Sequence, residues 1–196
     1  MILGAGLDTF AYRERELLQR LPVFEVDHPL TQADKRERIR RAGWELPKKL
    51  HFVPVDFSTD DLQEKLLDAG FDSGKKTFFS WLGVSCYLTM EQIGAMLSSL
   101  AKLSAEGSSL VFDYAGEGLF TSNVKRVRNM VAVAAAAGEP MQSCFGYPEL
   151  EKLLETHGFL IYEHLTDTDV QKRYFDGCED DFTAFEHIHY VLAVHK

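Results

Sequence analysis

Residues 2–9 read ILGAGLDT, a short apolar run that breaks into two glycines one residue apart. Glycines supply turn geometry and let a ligand approach the backbone, and a helix starting after them aims free N–H groups at whatever binds there. The pattern is that of the first strand and turn of a nucleotide-binding sheet. The strand is short, with at most four residues from Met1 to Gly4 before the turn closes.

After the turn, residues 9–21 place Phe10, Leu17 and Leu21 on one helical face, with Thr9 or Asp8 as cap. PVFEVD at 22–27 is a short β-branched and aromatic strand, and Pro29 opens a helix with Leu30, Ala33 and Ile39 on its apolar side that Gly43 ends. LHFVPVDF at 50–57 predicts a third strand, with Pro54 placing it near an end or an edge. Ser58 to Asp61 caps a helix carrying Leu62, Leu66 and Ala69. KTFFSWLGV at 76–84 is continuously apolar, the mark of a strand covered on both faces. Thr89 and Gln92 form a capping box before Ile93, Met96, Leu97 and Leu100, and SSLVFDY at 108–114 supplies the next strand. A helix over 123–137 breaks at GEP (138–140), and Pro148 starts another that Gly158 ends before the strand FLIYEHL at 159–165. The acidic, aromatic stretch 167–183 predicts a loop, and FEHIHYVLAVH at 185–195 a last strand.

Strand and helix alternate almost throughout, which demands an α/β fold with a mostly parallel sheet, helices on both faces and right-handed crossovers. The 196 residues, 45% hydrophobic and 26% charged, suit a single domain over 1–196. Twenty-one Lys and Arg against thirty Asp and Glu give a formal net charge of −9, which opposes nucleic-acid binding. The one basic cluster, KRERIRR at 35–41, is laced with acid and predicts a solvated helix face. Cys86, Cys144 and Cys178 match neither a disulfide framework nor zinc-ligand spacing. No run approaches eighteen apolar residues and no secretion signal stands at the start, so the expectation is a cytoplasmic protein without a membrane partner.

In sheets of this kind ligands bind beyond the carboxyl ends of the strands, near the switch point. Two strands there finish on acids, Asp27 about twenty residues after the glycine turn and Asp56 after the third strand. Asp27 is placed to accept hydrogen bonds from ribose hydroxyls, and Asp56 from an adenine amino group. A dinucleotide fingerprint wants a third small residue where Thr9 stands, and Asp8 inside the turn repels a pyrophosphate. An acid there tolerates an amino group and a positive sulfonium, which points to S-adenosylmethionine and away from a nicotinamide-dependent oxidoreductase.

ILGAGLDTFAYR, VFEVDHPLTQADKRE, FVPVDF, AGFDSGKKTFFSWLGVSCYLT and LVFDY, in that order from residue 1 to about 115, resemble the leucine carboxyl methyltransferase-like family of class I S-adenosylmethionine-dependent methyltransferases, which includes bacterial O-methyltransferases. The resemblance implies a Rossmann-like, mostly parallel seven-stranded sheet with a C-terminal antiparallel strand. It implies S-adenosyl-L-methionine as cofactor, with Gly4, Ala5 and Gly6 along its methionine portion, Asp27 at the ribose, and Asp56 and Phe57 at the adenine. Asp8 and Arg13 match positions beside the turn, Arg13 at the cofactor carboxylate or in structure. Many relatives end the fourth strand on a glutamate that holds the cofactor; here Leu82 stands there, leaving Ser80 or Ser85 to supply the contact. Relatives also carry a helical segment before the glycine turn, so the resemblance implies an N-terminally truncated domain. The apolar surface where that segment docks predicts self-association or a partner chain.

Tyr87, Asp113 and Tyr114 are candidates for the acceptor side, each opposed by an ordinary core or strand-end role. His187 and His189 share a strand face, but no acid or cysteine cluster completes a metal site. Cys86 has no assignable base and reads as a small buried hydrophobe. The expected reaction is transfer of a methyl group to a carboxylate or hydroxyl on a small molecule or peptide end, a displacement that for a carboxylate needs positioning and no general base. The rival reading is a non-catalytic fragment that serves as an interaction module.

Overall fold

The computed structural model describes residues 1–57, 59–179 and 181–196. Among them, seven strands form one sheet: β1 (Ile2–Leu3), β2 (Val23–Asp27), β3 (Leu50–Pro54), β4 (Phe78–Trp81), β5 (Ser109–Ala115), β6 (Phe159–Leu165) and β7 (Ile188–His195). Their order is β3-β2-β1-β4-β5-β7-β6. The first five run parallel, and β7 lies antiparallel to both β5 and β6. This is the mostly parallel sheet that the alternation of elements predicts, with the seven strands and reversed last strand that the family resemblance implies.

The helices are α1 (Phe10–Arg13), α2 (Arg15–Arg20), α3 (Pro29–Arg41), α4 (Leu62–Asp68), α5 (Met90–Leu103), α6 (Lys125–Ala136), α7 (Tyr147–Thr156) and α8 (Asp167–Val170). Their ends follow from local chemistry. The Asp8 carboxylate, rather than Thr9, accepts from the Phe10 N–H at 2.5 Å. The capping box before α5 forms in both directions, Gln92 N–H to Thr89 at 3.2 Å and Thr89 N–H to Gln92 at 2.9 Å. Asp61 caps α4 through the Gln63 and Glu64 N–H groups; Ser58, the other end of the expected capping stretch, lies outside the described residues.

The stretch 167–183 corrects the expectation of a loop: α8 is followed by a π-helical turn, Gln171–Phe175. Asp169 accepts from the Thr166 N–H at 3.0 Å and Thr166 from the Asp169 N–H at 3.2 Å, a capping box that satisfies two N–H groups at the start of α8. Asp180, also in that stretch, lies outside the described residues.

The main core sits on one face of the sheet, where Phe79, Trp81, Phe112 and Tyr114 pack against Leu97, Leu100 and Leu103 of α5 and Leu150 and Leu154 of α7. A smaller cluster of Ala11, Tyr12, Leu18, Val23 and Ile39 joins α1, α2 and α3 to β2. Elsewhere Phe78, Val111, Tyr190 and Leu192 line an apolar hollow of about 450 Å³ bordered by Tyr174 and Phe175. No helix among the described residues is long and apolar enough to cross a membrane.

Candidate functional site

The chain crosses from one half of the sheet to the other between β1 and β4, the switch point where a ligand crevice opens in doubly wound sheets. The segments leaving these two strands meet there. Gly4 takes φ +67°, and a Cβ on it would stand 2.3 Å from Val84 Cγ2, so both the backbone conformation and the close approach require glycine. Gly4 and Ala5 donate to the Val26 carbonyl at 2.8 and 3.2 Å. Gly6 (φ +45°) donates its N–H to the Asp27 carboxylate, whose other oxygen accepts from the His28 N–H at 2.6 Å.

A cleft of about 450 Å³ opens over this turn, within the roughly 300–1,000 Å³ of small-molecule sites. It brings together four of the expected cofactor residues, Gly4, Asp27, Asp56 and Phe57, and one expected acceptor-side residue, Tyr87. Asp56 lies beside His28 on the cleft wall, Oδ2 to Nε2 at 3.7 Å. Among the lining residues the acids are Asp27, Asp56 and Glu139, and neither Lys nor Arg is present. This set of acceptors suits hydroxyl and amino groups and a positive ligand, and opposes a pyrophosphate.

Gly6 is in the same turn, bonded to Asp27, but outside the lining, and the other expected residues lie elsewhere. Ala5 is buried behind the turn. Asp8 and Arg13 stand 3.8 Å apart at an exposed position, and Asp8 faces a separate hollow with Tyr12, Lys35 and Trp44. Ser80 pairs with β1 in the sheet and is absent from the cleft lining. Ser85, the other substitute for a strand-end glutamate, is buried with its hydroxyl bonded to the Asp113 carbonyl at 2.5 Å. Asp113 is absent from the cleft lining and accepts the N–H of Gly83, a lining residue, at 2.8 Å. Burial pushes its carboxyl above the usual range, against the opposing Gly83 hydrogen bond.

Tyr114 points away into the core, 2% exposed, stacked on Phe145 and hydrogen-bonded to His164 Nε2 at 2.8 Å. Strand alternation explains the split: Asp113 and Tyr114 are neighbours and must face opposite sides. His187 and His189 also separate, because His187 precedes β7 with φ +62° and bonds Ser122 at 3.1 Å, while His189 accepts from the Asp167 N–H. No group of three or more ligating side chains stands together among the described residues.

Sequence reasoning missed His28, Val84, Gln92 and, from the segment 138–142, Gly138, Glu139, Pro140 and Gln142, all of which line the cleft. Gln142 anchors that segment, donating from its N–H to the Cys86 carbonyl at 2.7 Å and from its side chain to the Tyr87 carbonyl at 2.5 Å. Burial pushes the Tyr87 phenol above its usual range, with Cys86, Glu139 and Asp113 adding in the same sense. GEP at 138–140 is legible as a helix breaker, and nothing local marks it as a wall of the site.

The fold is similar to that of solved methyltransferases. It superposes over its full length on mitomycin 7-O-methyltransferase MmcR (TM-score 0.63, 12% identity, 48% of that chain). The same holds for magnesium protoporphyrin IX methyltransferase ChlM of Synechocystis PCC 6803 with bound S-adenosylhomocysteine (TM-score 0.59, 15% identity, 73% of that chain). The leucine carboxyl methyltransferase profile matches residues 1–101, and the chain belongs to that family.

Among curated relatives, the Bacillus subtilis strain 168 protein named "Putative S-adenosyl-L-methionine-dependent methyltransferase YktD" is 52% identical over 198 residues. That match takes in all of this chain and 65% of the relative's length. A protein of the same description from Parafrankia sp. strain EAN1pec is 35% identical over 137 residues, 66% of this chain and 41% of that relative. The chain thus spans less than two thirds of the length of these relatives.

Proposed function

We propose that the chain is the cofactor-binding domain of an S-adenosylmethionine-dependent O-methyltransferase. The observation that carries this reading is the cleft at the switch point, where Asp27, Asp56 and His28 share the wall and no Lys or Arg lines it. Family membership and the relatives' names support it.

S-adenosylmethionine bound there would supply an electrophilic methyl group on a positively charged sulfur. The chain's own residues do the rest. Asp27 accepts hydrogen bonds from the ribose hydroxyls with the capacity left by the Gly6 and His28 N–H groups. Asp56 takes the adenine amino group, and Phe57 packs against the ring. Gly4 adds no side chain to the cleft floor, and Tyr87 with Gly138, Glu139, Pro140 and Gln142 forms the wall toward which an acceptor would be held.

The acceptor is a carboxylate or hydroxyl oxygen of a small molecule or peptide end. A carboxylate is already nucleophilic, so a site of this kind works by holding the two partners in line and excluding water. Calorimetric titration with S-adenosylhomocysteine and, separately, NADH tests the reading. Binding of the first alone is expected, and binding of NADH alone would falsify it.

A further inference from the structure

The middle of β2 holds a residue that a central parallel strand would ordinarily not carry. Glu25 is fully buried, and its Oε2 pairs with Lys35 Nζ at 2.5 Å, the Lys35 side chain being 5% exposed. Gln32, three residues before Lys35 on the same face of α3 and also buried, donates from Nε2 to the Glu25 carbonyl at 3.1 Å. The pair is imperfectly satisfied, since Glu25 Oε1 and the nearby Tyr12 hydroxyl are buried without hydrogen-bond partners.

A buried ion pair seldom stabilises a fold more than apolar residues of the same volume, because desolvating two charges offsets their attraction. Its place in the chain suggests what it does. The next residue, Val26, accepts the Gly4 and Ala5 N–H groups, and the one after, Asp27, accepts the Gly6 N–H. Glu25 and Asp27 project to the same side of the strand. Two consecutive residues of β2, Val26 and Asp27, therefore hold the glycine turn, and α3 grips the residue before them, Glu25, by both its side chain and its backbone.

We infer that Lys35 is a positioning residue for cofactor binding: by clamping Glu25 it fixes the end of β2, so that Asp27 is presented to the ribose while it holds the turn. The inference rests on the proposed reading of Asp27 as the ribose acceptor.

The test is a double-mutant cycle read by calorimetric titration with S-adenosylhomocysteine, using the wild-type chain, Lys35→Met, Asp27→Asn and the double variant. If Lys35 acts through Asp27, Lys35→Met weakens binding by about tenfold in the wild-type background and hardly at all when Asp27 is already Asn. Lys35→Arg, which keeps the ion pair, restores most of the affinity.

A merely structural lysine would instead lower the thermal midpoint and weaken binding equally in both backgrounds, and that result overturns the inference. Should Lys35→Met fail to fold, Glu25→Leu/Lys35→Met replaces the whole pair with apolar side chains and keeps the fold. Wild-type affinity in that variant also overturns the inference. The two readings fail separately: Asp27→Asn binding as tightly as wild type removes the ribose assignment and the clamp with it, whereas a weakened Asp27→Asn beside an unaffected Lys35→Met removes the clamp alone.

Discussion

The backbone N–H of Gly6 donates to the side chain of Asp27, twenty-one residues further on, so the turn after β1 and the acid ending β2 form one hydrogen-bonded unit. Asp27→Ala removes the proposed ribose acceptor and this tie together. Hydrogen bonds to charged groups are worth about 1.5–3 kcal/mol, so S-adenosylhomocysteine affinity is expected to fall roughly 10- to 150-fold. Titration calorimetry reads the loss, and unchanged affinity would remove Asp27 from the site.

Gly4 and Gly43 share nearly the same backbone conformation, φ +67° and +68°, but only Gly4 is crowded by a neighbour, Val84. Gly43→Ala should cost only the left-handed penalty of about 1–2 kcal/mol. Gly4→Ala adds a collision between the two halves of the cleft and should lower the thermal midpoint clearly further. Equal shifts for the two variants would show that Val84 yields without strain.

Much of this site was legible in the sequence, for reasons visible in these residues. Gly4, Gly6, Asp27 and Asp56 stand at strand ends, and strand ends can be read from turn chemistry and apolar runs. Val84 and Gln142 reach the cleft only through the crossover at the switch point and the return of the chain after α6, which no local pattern encodes. Tyr114 was misplaced because alternation says that it and Asp113 face opposite sides without saying which side holds the cleft. Glu25 was read only as part of a strand, because its partners sit on the following helix.

His164 and His189 lie with ring centroids 5.9 Å apart beside Tyr114 and Tyr147. Burial lowers the proton affinity of both, and each has another histidine adding in the same direction. Asp169 near both and Asp167 beside His189 oppose the shift. A histidine whose folded pKa lies below its unfolded value binds fewer protons when folded, so stability falls as pH drops through 6.5 and below. Thermal midpoints taken from pH 7.5 downward should show this loss. His164→Gln, which can still accept from Tyr114 but does not titrate, should reduce it by about half. A midpoint flat with pH in the wild type would contradict the assignment.

Burial pushes the Cys86 thiol up to about 12, with Asp113 adding to the effect. About one thiolate in ten thousand is then present at pH 8, and thiolate is the reactive form. Exposed Cys178 should react with a thiol reagent within minutes, part-exposed Cys144 more slowly and Cys86 only after denaturation. Fast modification of all three in the native state would show that the end of β4 opens readily.

The two-residue strand β1 has a consequence for how the molecule breathes. It joins β2 through Ile2 and Leu3 and β4 through Ile2, and the layer of α1, α2 and α3 above it rests on the small Ala11–Ile39 cluster, apart from the main core. Amide exchange should therefore be fastest in this layer and slowest in the β5–β7 pair, whose ladder runs from Ser109 to Ala115. The glycine turn belongs to the part of the protein that opens first, so a ligand seated on it would act as a local fastener, slowing exchange across β1, β2 and α3 while leaving β5 and β7 as they were.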